Sequence, residues 1–160
     1  MDDSSRRDPL TPLIISASRS TDIPAFYGDW FMESLTRGWL DWKNPFNGRI
    51  RRVDLSRVKG IVFWTKDPSP FFTHLDALDR KIPAYYFQVT LNNYETEGLE
   101  PGLPPLETRI DMFRRLSNRL GKHRVIWRSD PLLLTGTLSA EMLLDRIQFI
   151  GDRLHRYTDR

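Results

Sequence analysis

Four short apolar runs, each closed by polar or charged residues, constrain the fold of this chain more than any other feature. They are residues 13–17 before Ser18-Arg19-Ser20-Thr21-Asp22, 61–64 before Thr65-Lys66-Asp67, 85–89 before Thr90 and Asn92, and 125–127 before Arg128-Ser129-Asp130. Short apolar runs bounded by turn residues read as buried parallel strands. At the C-terminal ends of such strands the βα loops converge, and ligands bind there. Repetition of the pattern at four strand ends predicts a shared polar pocket on one face.

Helical patterns alternate with these runs. Asp22 and Pro24 open a helix to about Arg37 that carries Phe26, Trp30, Phe31 and Leu35, with Gly38 as its stop. Asp67-Pro68-Ser69-Pro70 opens a short helix with Phe71, Phe72, Leu75 and Leu78. Residues 105–120 place Ile110, Phe113, Leu116 and Leu120 at helical spacing. Ser139 caps a last helix with Leu143, Leu144, Ile147, Ile150 and Leu154 facing inward. Between the first helix and the second core strand, residues 39–57 flank Asn47-Gly48 with alternating runs, which predicts a β-hairpin or an extended excursion. Residues 1–12 read as a flexible tail, and 92–104 as a long loop of the kind that is often functional.

The fold class is therefore α/β. Alternating strands and helices joined by right-handed crossovers give a four-stranded parallel (βα)4 sheet with a hairpin excursion after the first helix. A complete (βα)8 barrel needs about 250 residues. The 160 residues of this chain supply four units, so residues 13–160 read as one domain, half of a TIM-type barrel or an open sheet. The outer strands of a half barrel are expected to expose backbone groups. Val62, Trp64, Phe87, Val89 and Trp127 are expected to be partly bare. Self-association, a separate C-terminal half, or the hairpin at 39–57 are the expected ways of covering the opening.

Several function classes are excluded by composition. No apolar run approaches the roughly 20 residues that span a bilayer, and the polar start has no h-region. The chain has no cysteine, which removes disulfides, a thiolate nucleophile and thiolate ligation of a metal or iron–sulfur cluster. A cytoplasmic protein is the expectation. The net charge of +3 arises from 24 basic and 21 acidic residues, with local excess at Arg6-Arg7, at Arg49/Arg51/Arg52, and from Arg114 to Arg128. A nucleic-acid-binding module is thus a second reading. His74, His123 and His155 share no ligand-like spacing, so no metal site is expected.

The strand ends supply the candidate ligand-binding residues. Ser16, Ser18, Arg19, Thr21 and Asp22 surround the first, just ahead of a helix whose N–H groups and dipole favour an anion. One of Thr21 and Asp22 caps that helix; Arg19 either pairs with Asp22 or reaches a ligand. Lys66 follows the second end as a charge clamp or a solvated neighbour of a capping Asp67. Gln88 and Thr90 lie on the third strand, where a mid-strand amide is costly unless it is hydrogen-bonded. Arg128 and Asp130 close the set as ligand groups or as an ion pair of their own.

Ile15-Ser16-Ala17-Ser18-Arg19-Ser20-Thr21-Asp22-Ile23-Pro24-Ala25-Phe26-Tyr27 resembles the opening motif of a bacterial family known as domain of unknown function eighteen forty-eight. Asn44-Pro45-Phe46, Phe63-Trp64-Thr65-Lys66-Asp67-Pro68, Tyr86-Phe87-Gln88-Val89-Thr90-Leu91 and Trp127-Arg128-Ser129-Asp130-Pro131 follow in the family's order, and Asn44 thereby joins the candidate residues. The resemblance implies a radical-SAM-like barrel whose longer members carry a C-terminal cysteine cluster, an iron–sulfur centre and S-adenosylmethionine. This chain lacks those cysteines, so the resemblance implies the N-terminal half of such a protein without cluster chemistry of its own. Its rim would bind a small polar or anionic ligand, such as the methionyl moiety of S-adenosylmethionine or a substrate. An inactive truncated fragment is the remaining alternative.

Overall fold

The structure, a computed structural model, describes residues 8–18 and 20–160. Its elements are β1 (Ile14–Ala17), α1 (Ile23–Phe26), α2 (Gly28–Arg37), β2 (Trp39–Lys43), β3 (Ile50–Asp54), β4 (Gly60–Thr65), a 3₁₀ turn (Ser69–His74), α3 (Leu75–Lys81), β5 (Ala84–Thr90), α4 (Leu106–Leu120), β6 (Val125–Arg128) and α5 (Ala140–Leu154). Strands β1, β4, β5 and β6 form one parallel sheet in that spatial order. The order in space is the order in the chain. Right-handed crossovers that always step the same way put every connecting helix on one face of the sheet.

Burial follows from this one-sided winding. The helix-facing positions Ala17, Ile61, Phe63, Thr65, Tyr85, Phe87, Val89 and Val125 are buried. Their aromatic centre is Phe63, whose ring stacks on Phe87 at 4.8 Å and meets Phe71 at 5.0 Å and Phe31 edge-on at 5.6 Å. The alternate positions Ile14, Ser16, Val62, Trp64, Tyr86, Gln88, Thr90, Ile126 and Arg128 line the other face, half-buried or exposed. Ile14 is 69% and Trp64 39% exposed, so that face is open.

The expected bare residues divide by parity. Val62 and Trp64 lie on the open face, whereas Phe87 and Val89 are buried under the helices. Trp127 shares their side: its ring lies 3.5 Å from the position a Cβ on Gly151 of α5 would take, and its indole N–H donates to the Leu91 carbonyl at 3.1 Å. A continuous apolar run does not say which alternate set meets the helices; the crossovers decide it. The outer edge of β6 is also occupied. The Trp127 N–H donates to an Arg160 oxygen at 3.0 Å, and the Thr158 hydroxyl donates to the Val125 carbonyl at 2.7 Å.

The hairpin forms as β2 and β3, antiparallel in the register Trp39↔Asp54 to Lys43↔Ile50. Its buried Leu40 and Val53 join the core with Phe31 and Phe63, so it packs with the helices and leaves the open face uncovered. Leu10 forms a parallel bridge to Val53, tying residues just before β1 to the hairpin; residues 1–7 lie outside the described set.

Two helices differ from the sequence expectation. The first is broken at Tyr27 (φ −132°, ψ 25°), between α1 and α2. The break resets the helical phase, so Phe31 is buried while Phe26 and Trp30 are exposed. In α5, Leu143, Ile150 and Leu154 lie on the inward stripe at helical spacing, and Leu144 falls off its edge and is 64% exposed.

Candidate functional site

The C-terminal half of the open face presents Tyr86, Gln88 and Thr90 in a row on β5, with Trp64 beside Gln88 on β4 and Arg128 beside Thr90 on β6. The Arg128 guanidinium reaches across β5: its Nη1 donates to Gln88 Oε1 at 2.7 Å, and its centre lies 4.2 Å above the Trp64 ring. Its Nε and Nη2 donate side-on to Asp130 at 2.7 and 2.5 Å. This charged pairing holds the Asp130 carboxyl below the usual carboxylate range and raises Arg128. Each terminal nitrogen of Arg128 keeps a second N–H that no side chain among the described residues takes. The Gln88 amide meets the Tyr86 hydroxyl only at 3.5 Å, so its donors remain available.

Asp22 sews the first strand end to the second. One carboxylate oxygen accepts the Ala25 N–H at 3.0 Å and caps α1; the other accepts the Thr65 hydroxyl at 2.9 Å and the Lys66 N–H at 2.8 Å. Thr65 Oγ1 in turn accepts the Asp67 N–H at 3.0 Å, and the Asp67 carboxylate accepts the Ser69 N–H at 2.9 Å just ahead of the 3₁₀ turn, whose N-cap is Pro68. Ser18, at φ 79°, accepts the Ile23 N–H at 3.0 Å. The left-handed serine is held here by its hydrogen bond to the first residue of α1.

Burial of Asp22 outweighs the three donors and raises its carboxyl above the ordinary value. The folded chain then holds that proton more tightly than the unfolded chain. The resulting stability is fully present below about pH 4 and is lost as pH rises through the raised value. Urea unfolding of the wild type and Asp22→Asn should therefore show the wild type losing ground to the variant as pH rises from about 4. A difference constant across that range would contradict the assignment.

Lys66 forms an ion pair with Glu100, which the long loop carries, and its charge is also near enough to Asp130 to help lower that carboxyl. Behind Glu100 stands Arg109 of α4, with a side chain only 2% exposed. Its Nη1 lies 3.5 Å from Glu100 Oε2, and neither atom has a hydrogen-bond partner among the described residues. Arg109 Nε donates to the Pro104 carbonyl at 2.9 Å, and Nη2 lies 3.7 Å from the half-exposed Glu95. Glu95 accepts the Leu106 N–H and so fixes the start of α4.

The sequence candidates thus separate into groups. Gln88, Thr90, Arg128 and Asp130 come together, with Ser16 lower on the same face. Ser18, Asp22 and Lys66 belong to the neighbouring loop junction, and Thr21 is exposed beside it. Asn44 stands in the hairpin turn, where its side chain accepts the Phe46 N–H at 2.8 Å. Arg19 lies outside the described residues. Trp64, Tyr86, Glu100 and Arg109 were not singled out from sequence as site residues. Arg109 carries a readable signal: it falls on the α4 stripe of Leu106, Ile110 and Phe113, where an apolar residue is expected.

Among the described residues no group of three or more His, Cys, Asp or Glu is placed to hold a metal ion, and no helix is long and apolar enough to cross a membrane. The chain has no cysteine, so its residues do not fit a thiolate-held iron–sulfur cluster. No curated protein and no solved structure matches the chain. One family does match, over residues 14–160: the chain belongs to the family described as domain of unknown function DUF1848.

Proposed function

We propose that this chain is the N-terminal half of a radical-SAM-like (βα) barrel protein, and that the open face of its sheet binds a small polar or anionic ligand without cluster chemistry of its own. The observation that carries this reading is the polar end of the open face, where Arg128 lies across Gln88 and Trp64 with N–H groups to spare. A buried sheet face would be apolar; this one pairs an aromatic floor with convergent donors. The spare guanidinium N–H groups suit a carboxylate, and Gln88, Tyr86 and Thr90 suit hydroxyl or amide groups. The strand order supports the barrel part of the reading, since all crossovers cover one face and leave the other as the interior that a closed barrel would have.

Calorimetric titration with S-adenosylmethionine and with methionine tests the ligand. Binding should weaken at least tenfold in Arg128→Ala and in Gln88→Ala. Arg128→Ala should cost only about 0–1 kcal/mol of stability, because the Arg128–Asp130 pair is partly exposed and solvent-screened. Affinity unchanged in both variants would end the proposal for this face.

A further inference from the structure

Outside the open face, a cleft of about 370 Å³ lies between the long loop and the segment after β6. Its walls are Tyr94, Leu99, Pro101, Leu103, Pro131 and Leu133, and the Lys66–Glu100 ion pair also lines it. The volume is within the range of about 300–1,000 Å³ typical of small-molecule sites. The Tyr94 hydroxyl is already committed: it donates to the Pro131 carbonyl at 2.7 Å and accepts the Leu133 N–H at 3.2 Å. That leaves one ready source of polar recognition, the ammonium of Lys66, whose side chain is 38% exposed.

The charges behind it let that ammonium move. Glu100 is shared by two cations, Lys66 and the buried Arg109. If Lys66 swings to a ligand, Arg109 still faces Glu100 at 3.5 Å, and no carboxylate is stranded without a countercharge. The vacated and currently unsatisfied carboxylate and guanidinium atoms can then close on each other. With Glu95 3.7 Å from Arg109, the cluster holds two cations and two carboxylates, so Lys66 is the cation that can leave without unpairing Glu100.

We propose that this cleft binds an amphipathic monocarboxylate, its apolar body against Leu99, Leu103 and Leu133 and its carboxylate on Lys66. The site shares Lys66 with the loop junction beside the open face, but its apolar wall belongs to neither. Calorimetry with octanoate below its micellar concentration is the test, with octylamine as the opposite-charge control. Octanoate should bind at one site per chain, and octylamine should bind at least tenfold more weakly. Lys66→Met should lower octanoate affinity at least tenfold. Leu133→Asp, which alters a partly exposed residue, should abolish octanoate binding, while titration of the open face with S-adenosylmethionine stays as in the wild type. The proposal is overturned if octanoate does not bind at millimolar concentration, if octylamine binds as well, or if either variant binds octanoate like the wild type. None of those results would touch the open-face reading, which depends on Arg128 and Gln88.

Discussion

Replacing Arg109 with methionine is expected to lower the folding stability by about 3–5 kcal/mol, since it removes one partner of a buried ion pair and leaves the other charged. The guanidinium is 2% and the Glu100 carboxylate 12% exposed, so water can solvate Glu100 only by opening the loop. Lys66 would still hold Glu100 on its outer side, which places the loss nearer the lower figure. For a domain of this size the melting temperature should fall by roughly 6–20 °C. A double variant, Arg109→Met with Glu100→Leu, should recover most of the loss, because apolar replacements of a buried pair are often neutral or stabilising. Urea and thermal unfolding of the two single variants and the double complete a cycle. A loss under about 1 kcal/mol in Arg109→Met would mean that the loop does not press Glu100 onto α4 in solution.

Phe63→Ala should cost about 3–5 kcal/mol, whereas Trp64→Ala, one residue later, should cost about 1 kcal/mol. Phe63 is fully buried and its ring meets Phe31, Phe71, Tyr85 and Phe87; Trp64 is 39% exposed and its ring carries Arg128. By size alone the tryptophan would be the more damaging loss. The expected inversion comes from the helices all packing on one face of the sheet. Equal and large losses at both positions would show that the second face is also covered in solution, and the open-face site would then have no access.

Much of this architecture is visible in the sequence because β-strands and helices declare themselves by period. The four apolar runs became the four parallel strands, and the Asn-Gly turn became the hairpin. What escaped is set by tertiary geometry. The period of two separates alternate residues on β5 but does not say which set meets the helices, so Phe87 and Gln88 were equally good candidates for the open side. The site was half legible for a related reason. Arg128 and Asp130 are neighbours in the chain and their pairing could be read, but Glu100 reaches Lys66 across 34 positions from a loop without periodic signal. The break at Tyr27 was likewise hidden, since Asp22, Pro24 and Gly38 mark the outer limits of two helices as well as they would of one.

The contacts along the outer edge of β6 turn any extension of the sheet into a displacement reaction. A fifth parallel strand laid beside β6 would need the Trp127 N–H and the Val125 carbonyl, the two groups that Arg160 and Thr158 already occupy. Those two hydrogen bonds contribute roughly 0.5–1.5 kcal/mol each. They form within one chain, at an effective concentration set by the short tether from α5 rather than by how much protein is present. An incoming strand must therefore displace these contacts, at a factor of roughly ten for each 1.4 kcal/mol that they supply. Residues 158–160 thus occupy the hydrogen-bonding groups that a strand beside β6 would need.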